Sequence, residues 1–231
     1  MRDVKRWIPS SDPCSVHRLD KPTTGCLLVA LNSANGKSLS RQFQQGTVNK
    51  TYLALVRGGE KSFDSKSGRI DIPILYNDGR GEISTEGKSS VTEWELLGSS
   101  TKAPLSLLRL HLITGNKHQL RIHLAKSLNT PILGDFIYSL KPLNPTVTDA
   151  TEIPKGRLFL HASEVSFYKY TDRGKRYRLG IRSPVPLDFQ FICRDVGIDL
   201  PHVDGAMMID GNMPQDDDLD RRLWDSRQSY D

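Results

Sequence analysis

The sequence of 231 residues is poor in several things, and each shortage narrows what the chain can be. It has three cysteines, Cys14, Cys26 and Cys193, an odd number without C-x-x-C spacing or a nearby histidine pair. A disulfide scaffold and a structural zinc site are therefore not expected, and an intracellular, reducing compartment is. Long apolar runs are missing: the longest, Cys26 to Leu31, falls far short of the roughly 20 residues that cross a bilayer, so no membrane partner is expected. The stretch up to Ser15 lacks the apolar segment of a secretory signal, and Pro9 and Pro13 interrupt any amphipathic transit helix. No targeting signal for the mitochondrial matrix or the nucleus is read there. Aromatic residues make up only 7% of the chain and hydrophobic ones 37%, enough core for one large domain or two small ones.

Charge is plentiful and unevenly spread. The chain carries a formal +5, yet the segment after residue 200 holds eight aspartates against three arginines, so residues 1–200 carry +10. A basic body suits a polyanionic partner, and nucleic acid is favoured over acidic lipid because no amphipathic basic helix stands out. Ordinary solubility would explain the same charge about as well. The segment 201–231 combines an aspartate run with few aromatics and no periodicity, and is expected to be an acidic, disordered tail.

Periodicity supplies the elements. Leu27 to Leu31 reads as a short buried strand, followed by a helix capped at Asn32 or Ser33 that runs through Leu39 and Phe43 to a stop at Gly46. Val48 to Val56 alternates as a strand does. Exposed loops are expected from Gly58 to Arg69 and from Asn77 to Gly87. Val91 to Leu97 and Leu105 to Ile113 read as antiparallel neighbours. Lys117 to Ser127 has helical spacing, with Leu120, Leu124 and Leu128 on one stripe and Thr114 near the cap. Leu158 to Phe167 and Arg176 to Ile181 form a final hairpin, and Leu187 to Val196 a closing helix. Leu112, Ile122 and Leu133 read as core.

Two segments carry candidate chemistry. His17-Arg18-Leu19-Asp20 precedes the tight turn Lys21-Pro22-Thr23-Thr24-Gly25, and by itself such an aspartate is more often a turn or cap residue than a nucleophile. In Thr114 to His123 a strand hands over to a helix start loaded with donors, where Lys117, His118 and Gln119 add side chains to a natural phosphate site. Arg121 follows His118 by three residues, so both can face one cleft. A solvated basic first turn is the ordinary explanation of that pattern alone.

Taken together and in order, HRLDKPTTG, KTYLALVRG, TGNKHQLRIHLA, PILGDFIY, LFLHA and SPVPLDF resemble the RluA-type pseudouridine synthases from about Val16 to Phe189. The resemblance implies an α+β fold: a mixed, mostly antiparallel bent sheet with flanking helices and a central RNA-binding cleft, in a catalytic domain spanning 1–200. It implies isomerisation of specific uridines in rRNA or tRNA to pseudouridine, without metal or other cofactor, by a monomer. Asp20 matches the catalytic nucleophile, acting by covalent attack or by assisting glycosidic cleavage. Tyr52 matches the family tyrosine, whose ring can stack on uracil and whose hydroxyl can take part in proton transfer. Arg121 matches the arginine expected to pair with the catalytic carboxylate and hold its orientation. His17, Arg18, Lys50, Lys117, His118 and Gln119 are the candidate substrate-binding groups. The base must leave its stack to be reached, which favours loops and stem-loops over continuous duplex.

The sequence departs from the family pattern at two places. Asn116 stands where the family more often has arginine, so one phosphate contact is expected to be missing. Only sixteen residues precede His17, where relatives have several strands and a K-P-x-G loop, so the amino-terminal part is expected to be shortened. These departures motivate an alternative, a non-catalytic RNA-binding or ribosome-assembly protein on the same scaffold. Retention of Asp20, Tyr52 and Arg121 favours the enzyme.

Overall fold

The computed structural model describes residues 6, 8–9, 12–139, 141–171, 173–201 and 205–214. Strands β1 (Cys14–Ser15), β2 (Thr24–Gly25) and β3 (Val29–Ala30) are short and belong to the segment around the HRLD string. The long strands follow: β4 (Asn49–Arg57), β5 (Ser67–Asp71), the β6 (Ile74–Asn77) and β7 (Arg80–Ile83) hairpin, β8 (Val91–Ser99), β9 (Leu105–Leu112), β10 (Leu160–Tyr170), β11 (Arg176–Arg182) and β12 (Met207–Ile209). The helices are α1 (Ser33–Gln44), α2 (Gln119–Lys126), α3 (Pro145–Ala150) and α4 (Leu187–Asp195). None of the described helices is long and apolar enough to cross a membrane.

An eight-stranded sheet in the order β12-β11-β10-β4-β9-β8-β5 organises the chain, with β2 pairing β10 off that path. Every pairing along the path is antiparallel, whereas β2 lies parallel to β10. The α+β class with a mostly antiparallel sheet is thus the observed one. Strand β4 lies between β10 and β9, and both of its faces are covered, so Tyr52 through Val56 are all buried rather than alternating. The main core joins β4, β8 and β9 to Leu120 and Leu124 of α2 and to Phe189 and Ile192 of α4. Each fully buried leucine of β9 contributes about 1.5–3 kcal/mol of transfer free energy. A smaller cluster of Val48, Val165, Phe167, Tyr177, Leu179 and Ile209 receives Leu39 and Phe43 of α1.

Helix α1 begins as its sequence predicts: the Asn32 Oδ1 accepts the Asn35 N–H at 2.8 Å. Other expectations are corrected. Only Val29–Ala30 of the Leu27 to Leu31 run is strand, paired with β1, and Leu27 is 51% exposed. The loop from Gly58 contains a 3-10 turn, Glu60–Ser62, and gives way to β5, while most of Asn77 to Gly87 forms the β6–β7 hairpin. Helix α2 starts at Gln119 rather than Lys117. The Thr114 hydroxyl does not cap it; it accepts from the Val91 N–H at 2.8 Å and donates to the Gln119 Oε1 at 2.8 Å, tying the strand end to the helix start.

The expectation of disorder from 201 onward fails at Met207–Ile209. That apolar triplet extends the sheet as β12, with Met207, Met208 and Ile209 set against Ile181, Gly180 and Leu179. The aspartate-rich stretch 215–231 lies outside the described residues.

Candidate active site

The HRLD segment is held against the sheet by backbone. Gly25 has φ +106, and a Cβ there would meet the Ala162 carbonyl oxygen at 2.2 Å. Only glycine permits that approach. The Cys26 N–H donates to the Ala162 carbonyl at 2.9 Å, and the Thr24 hydroxyl meets the His161 Nδ1 at 3.0 Å. His17 is tied down in turn: its Nε2 accepts the Leu28 N–H at 2.8 Å, and its ring stacks on Phe43 at 4.9 Å. Burial and the nearby Lys50 push the His17 imidazole down to about 4, so it is a neutral acceptor at physiological pH.

The nine residues singled out from the sequence all border one cleft of about 650 Å³. Asp20 lines it, with one oxygen 3.7 Å from the Arg121 Nη1 and the other 3.8 Å from the His118 Nε2. Tyr52 is delivered by the middle of β4 and is only 7% exposed. Burial first, then the charges of Asp20 and Cys26, raise its phenol well above the ordinary range, so it is protonated at neutral pH. Arg18 and Lys117 are exposed on the walls. Lys50 is partly buried, and that burial lowers its ammonium to about 8.

The expected pairing of Arg121 with Asp20 is present but is the weaker of two. The Arg121 Nε and Nη2 donate to the two carboxylate oxygens of Asp135 at 2.8 and 2.7 Å. Burial opposes both charges, and their mutual hydrogen bonds overcome it, leaving the guanidinium raised and the Asp135 carboxyl lowered. The Ile137 and Tyr138 N–H groups also donate to the Asp135 Oδ1, at 2.9 and 3.1 Å. Sequence reading quoted the PILGDFIY string without assigning Asp135 a role.

Tyr138 also lies beside the site. Its hydroxyl meets the His118 Nδ1 at 3.0 Å, and its ring lies 5.4 Å from the Arg121 guanidinium carbon. Burial lowers the His118 pKa, with Asp20 opposing. His118 sits at the start of α2 with φ 54, a left-handed conformation that costs a non-glycine residue of order 1–3 kcal/mol. Tyr76 supports the wall, donating to the Lys117 carbonyl at 2.6 Å.

Gln119, a candidate substrate contact, is 2% exposed, and its amide is engaged in the interior. Its Oε1 accepts from Thr114 and from the Asn116 N–H, and its Nε2 donates to the Val91 carbonyl and the Thr92 hydroxyl. It positions the turn instead of reaching a ligand. Asn116 likewise bonds inward, to the Ser89 carbonyl and the Ser90 hydroxyl. Among the described residues no group of three or more His, Cys, Asp and Glu side chains is placed to hold a metal ion.

Among the described residues Asp20 is the one carboxylate lining this cation-rich cleft, beside a buried tyrosine and an anchored arginine, in an α+β protein built on a mostly antiparallel sheet. The sequence model of the RNA pseudouridylate synthases matches residues 10–126, and the chain belongs to that family. An uncharacterized RNA pseudouridine synthase of Zymomonas mobilis is 40% identical over 139 residues, covering 58% of this chain and 59% of the relative. One of Mycobacterium bovis is 38% identical over 178 residues, covering 76% and 53%. The chain thus spans between half and three fifths of the length of these relatives. The solved structure of human RNA pseudouridylate synthase domain containing 4 superposes with a TM-score of 0.66 at 27% identity, covering 82% of this chain and 78% of that one.

Proposed function

We propose that the protein isomerises uridine within RNA to pseudouridine, with Asp20 initiating the reaction. The observation that carries the reading is the placement of Asp20, Tyr52 and Arg121 in one cleft, within a chain of this family. The overall change breaks the bond from the ribose C1′ to N1 of uracil and forms one from C1′ to C5. The C5 hydrogen leaves as a proton, and one is gained at N1. Asp20 serves either by attacking the nucleoside or by assisting departure of the base. The neutral Tyr52 offers a ring face to the uracil and a hydroxyl for proton transfer. Arg121, immobilised by Asp135, supplies a fixed positive charge beside the Asp20 carboxylate, which costs no reorganisation during the reaction. Arg18, Lys50 and Lys117 meet phosphates, and the net +10 of residues 1–200 adds long-range attraction.

The experiment is release of tritium from RNA labelled at C5 of uridine, using total ribosomal and transfer RNA with the wild type and Asp20→Asn. Release that disappears in the variant, with RNA affinity nearly unchanged, is expected. Salt-sensitive RNA binding without release from either pool would overturn the catalytic reading in favour of a binding or ribosome-assembly protein on this scaffold.

A further inference from the structure

The catalytic cleft is not the molecule's single basic concavity. On the other side of the α1 terminus lies a second groove of about 380 Å³, walled by Lys37 and Arg41 of α1, by Gln45 just past its end, and by Tyr168, Tyr170 and Arg176 of the β10–β11 hairpin. Lys37 and Arg41 are four residues apart and so share a helix face. The strand register sets Tyr168 opposite Arg178 and Tyr170 opposite Arg176, which puts all four side chains on one face of the hairpin. Among the described residues no carboxylate lines the groove, though Asp210 approaches its hairpin and accepts the Arg178 N–H at 2.7 Å.

The walls are fixed to one another. Beyond Ser166, which pairs with Asn49 at the start of β4, the buried Gln42 side chain takes over the strand's role at the edge of β10. Its Nε2 donates to the Tyr168 carbonyl at 2.9 Å and its Oε1 accepts the Tyr168 N–H at 2.8 Å. The Tyr168 ring carries the guanidinium carbons of Arg176 and Arg178 at 4.3 and 4.0 Å. Arg178 is further anchored to the Thr47 carbonyl, at 3.2 Å. A preorganised stack of arginine on tyrosine results, with Tyr170 beside it at 61% exposure.

We propose that this groove binds a single-stranded segment of the same RNA whose target uridine occupies the catalytic cleft; the proposal rests on the reading of the protein as an RNA-modifying enzyme. Two features favour RNA over an acidic lipid surface. Cations for phosphates are combined with an exposed aromatic ring for a base, the pairing that single-stranded nucleic acid requires. The groove is also adjacent to the cleft, with the α1–β4 turn as the ridge between them. Gln44 and Gly46 line the cleft while Gln45 and Thr47 line the groove, so a strand leaving the site crosses the α1–β4 turn directly into it.

The test measures binding and turnover separately. Filter binding of total transfer RNA and of a uridine 30-mer, in the Asp20→Asn background, is compared with and without Lys37→Ala/Arg41→Ala and Tyr170→Ala. The double variant is expected to weaken binding about tenfold and to flatten the slope of log affinity against log salt by about 1.4, two single-strand contacts' worth. Tyr170→Ala is expected to weaken binding about tenfold with the salt slope unchanged. With Asp20 restored, both variants are expected to raise KM for tritium release and leave kcat alone. Unchanged RNA affinity and slope in the double variant, while the wild type binds RNA, would overturn the groove and leave the enzyme reading standing. Vesicles of phosphatidylserine and phosphatidylcholine that bind the wild type but not the double variant, with RNA affinity unaffected, would assign the groove to a membrane surface instead. Failure of the wild type to bind RNA at all would overturn both readings.

Discussion

Arg121 gives both of its short side-chain hydrogen bonds to Asp135, in a bidentate pair that is fully buried on both sides. Asp20, the carboxylate proposed to react, is left with the third guanidinium nitrogen at 3.7 Å. One aspartate thus immobilises the cation and the other remains available to chemistry. A fork-to-fork pair of this kind fixes direction as well as charge.

Asp135→Asn tests that division of labour. It removes the charge from one side of a buried pair, and breaking such pairs costs about 3–5 kcal/mol. Thermal or urea denaturation is expected to show a loss of that order. At a temperature where the variant is still folded, turnover is expected to fall while RNA affinity holds, because Asp135 touches Arg121 but does not itself line the cleft. A stable variant with wild-type turnover would mean that Asp20 and the Tyr138 ring orient Arg121 unaided.

Lys50 offers a pH signature with two opposite signs. Its ammonium is lowered to about 8 from an unperturbed value near 10.5. Between those values the unfolded chain binds more protons than the folded one, so stability rises as pH rises through that window. RNA affinity should move the other way, falling about three- to tenfold between pH 7 and pH 9 as the phosphate contact loses its charge. Lys50→Arg keeps its charge throughout and is expected to flatten the affinity profile. A wild-type profile as flat as that of the variant would remove Lys50 from the RNA contacts.

Much of this site could be read before the fold was known. Asp20, Tyr52 and Arg121 sit in compact strings that each have a commoner structural explanation alone, and it is their joint resemblance to one family, in order along the chain, that singles them out. Asp135 was not legible as a partner, because nothing local says that an aspartate between Gly134 and Phe136 meets an arginine fourteen residues earlier. Gln119 misled for the opposite reason: it sits in a row of donors, but a tertiary arrangement with Thr114, Val91 and Thr92 turns its amide inward. The strand at Met207–Ile209 was obscured by the acidic composition that follows it. Windowed composition averages over a three-residue apolar strand, whereas an available β11 edge does not.

Gly25→Ala separates backbone geometry from side-chain chemistry. At φ +106, with the Ala162 carbonyl oxygen 2.2 Å from where a Cβ would sit, alanine must push β2 off β10. A destabilisation of about 2–4 kcal/mol is expected, with turnover reduced by displacement of Asp20. Gly46→Ala is the comparison: its φ is +66, but nothing lies within 4 Å, so it carries the conformational penalty of about 1–2 kcal/mol without a clash. Equal effects at both positions, read by calorimetry and tritium release, would show that the close approach of β2 to β10 is dispensable.

The β2–β10 pairing also sets an order of events during synthesis. Thr24 and Gly25 find their partners at His161 and Ala162, with sequence separations of 137 residues. Closing so long a loop is entropically costly, and the two-residue strand repays little of that cost until β10 is already seated against β4. A nascent chain that has emerged only as far as α3 therefore carries Asp20, Tyr52 and Arg121 without the strand that docks the aspartate's segment. The Asp20 segment therefore gains its β2–β10 dock only after β10 has joined the sheet.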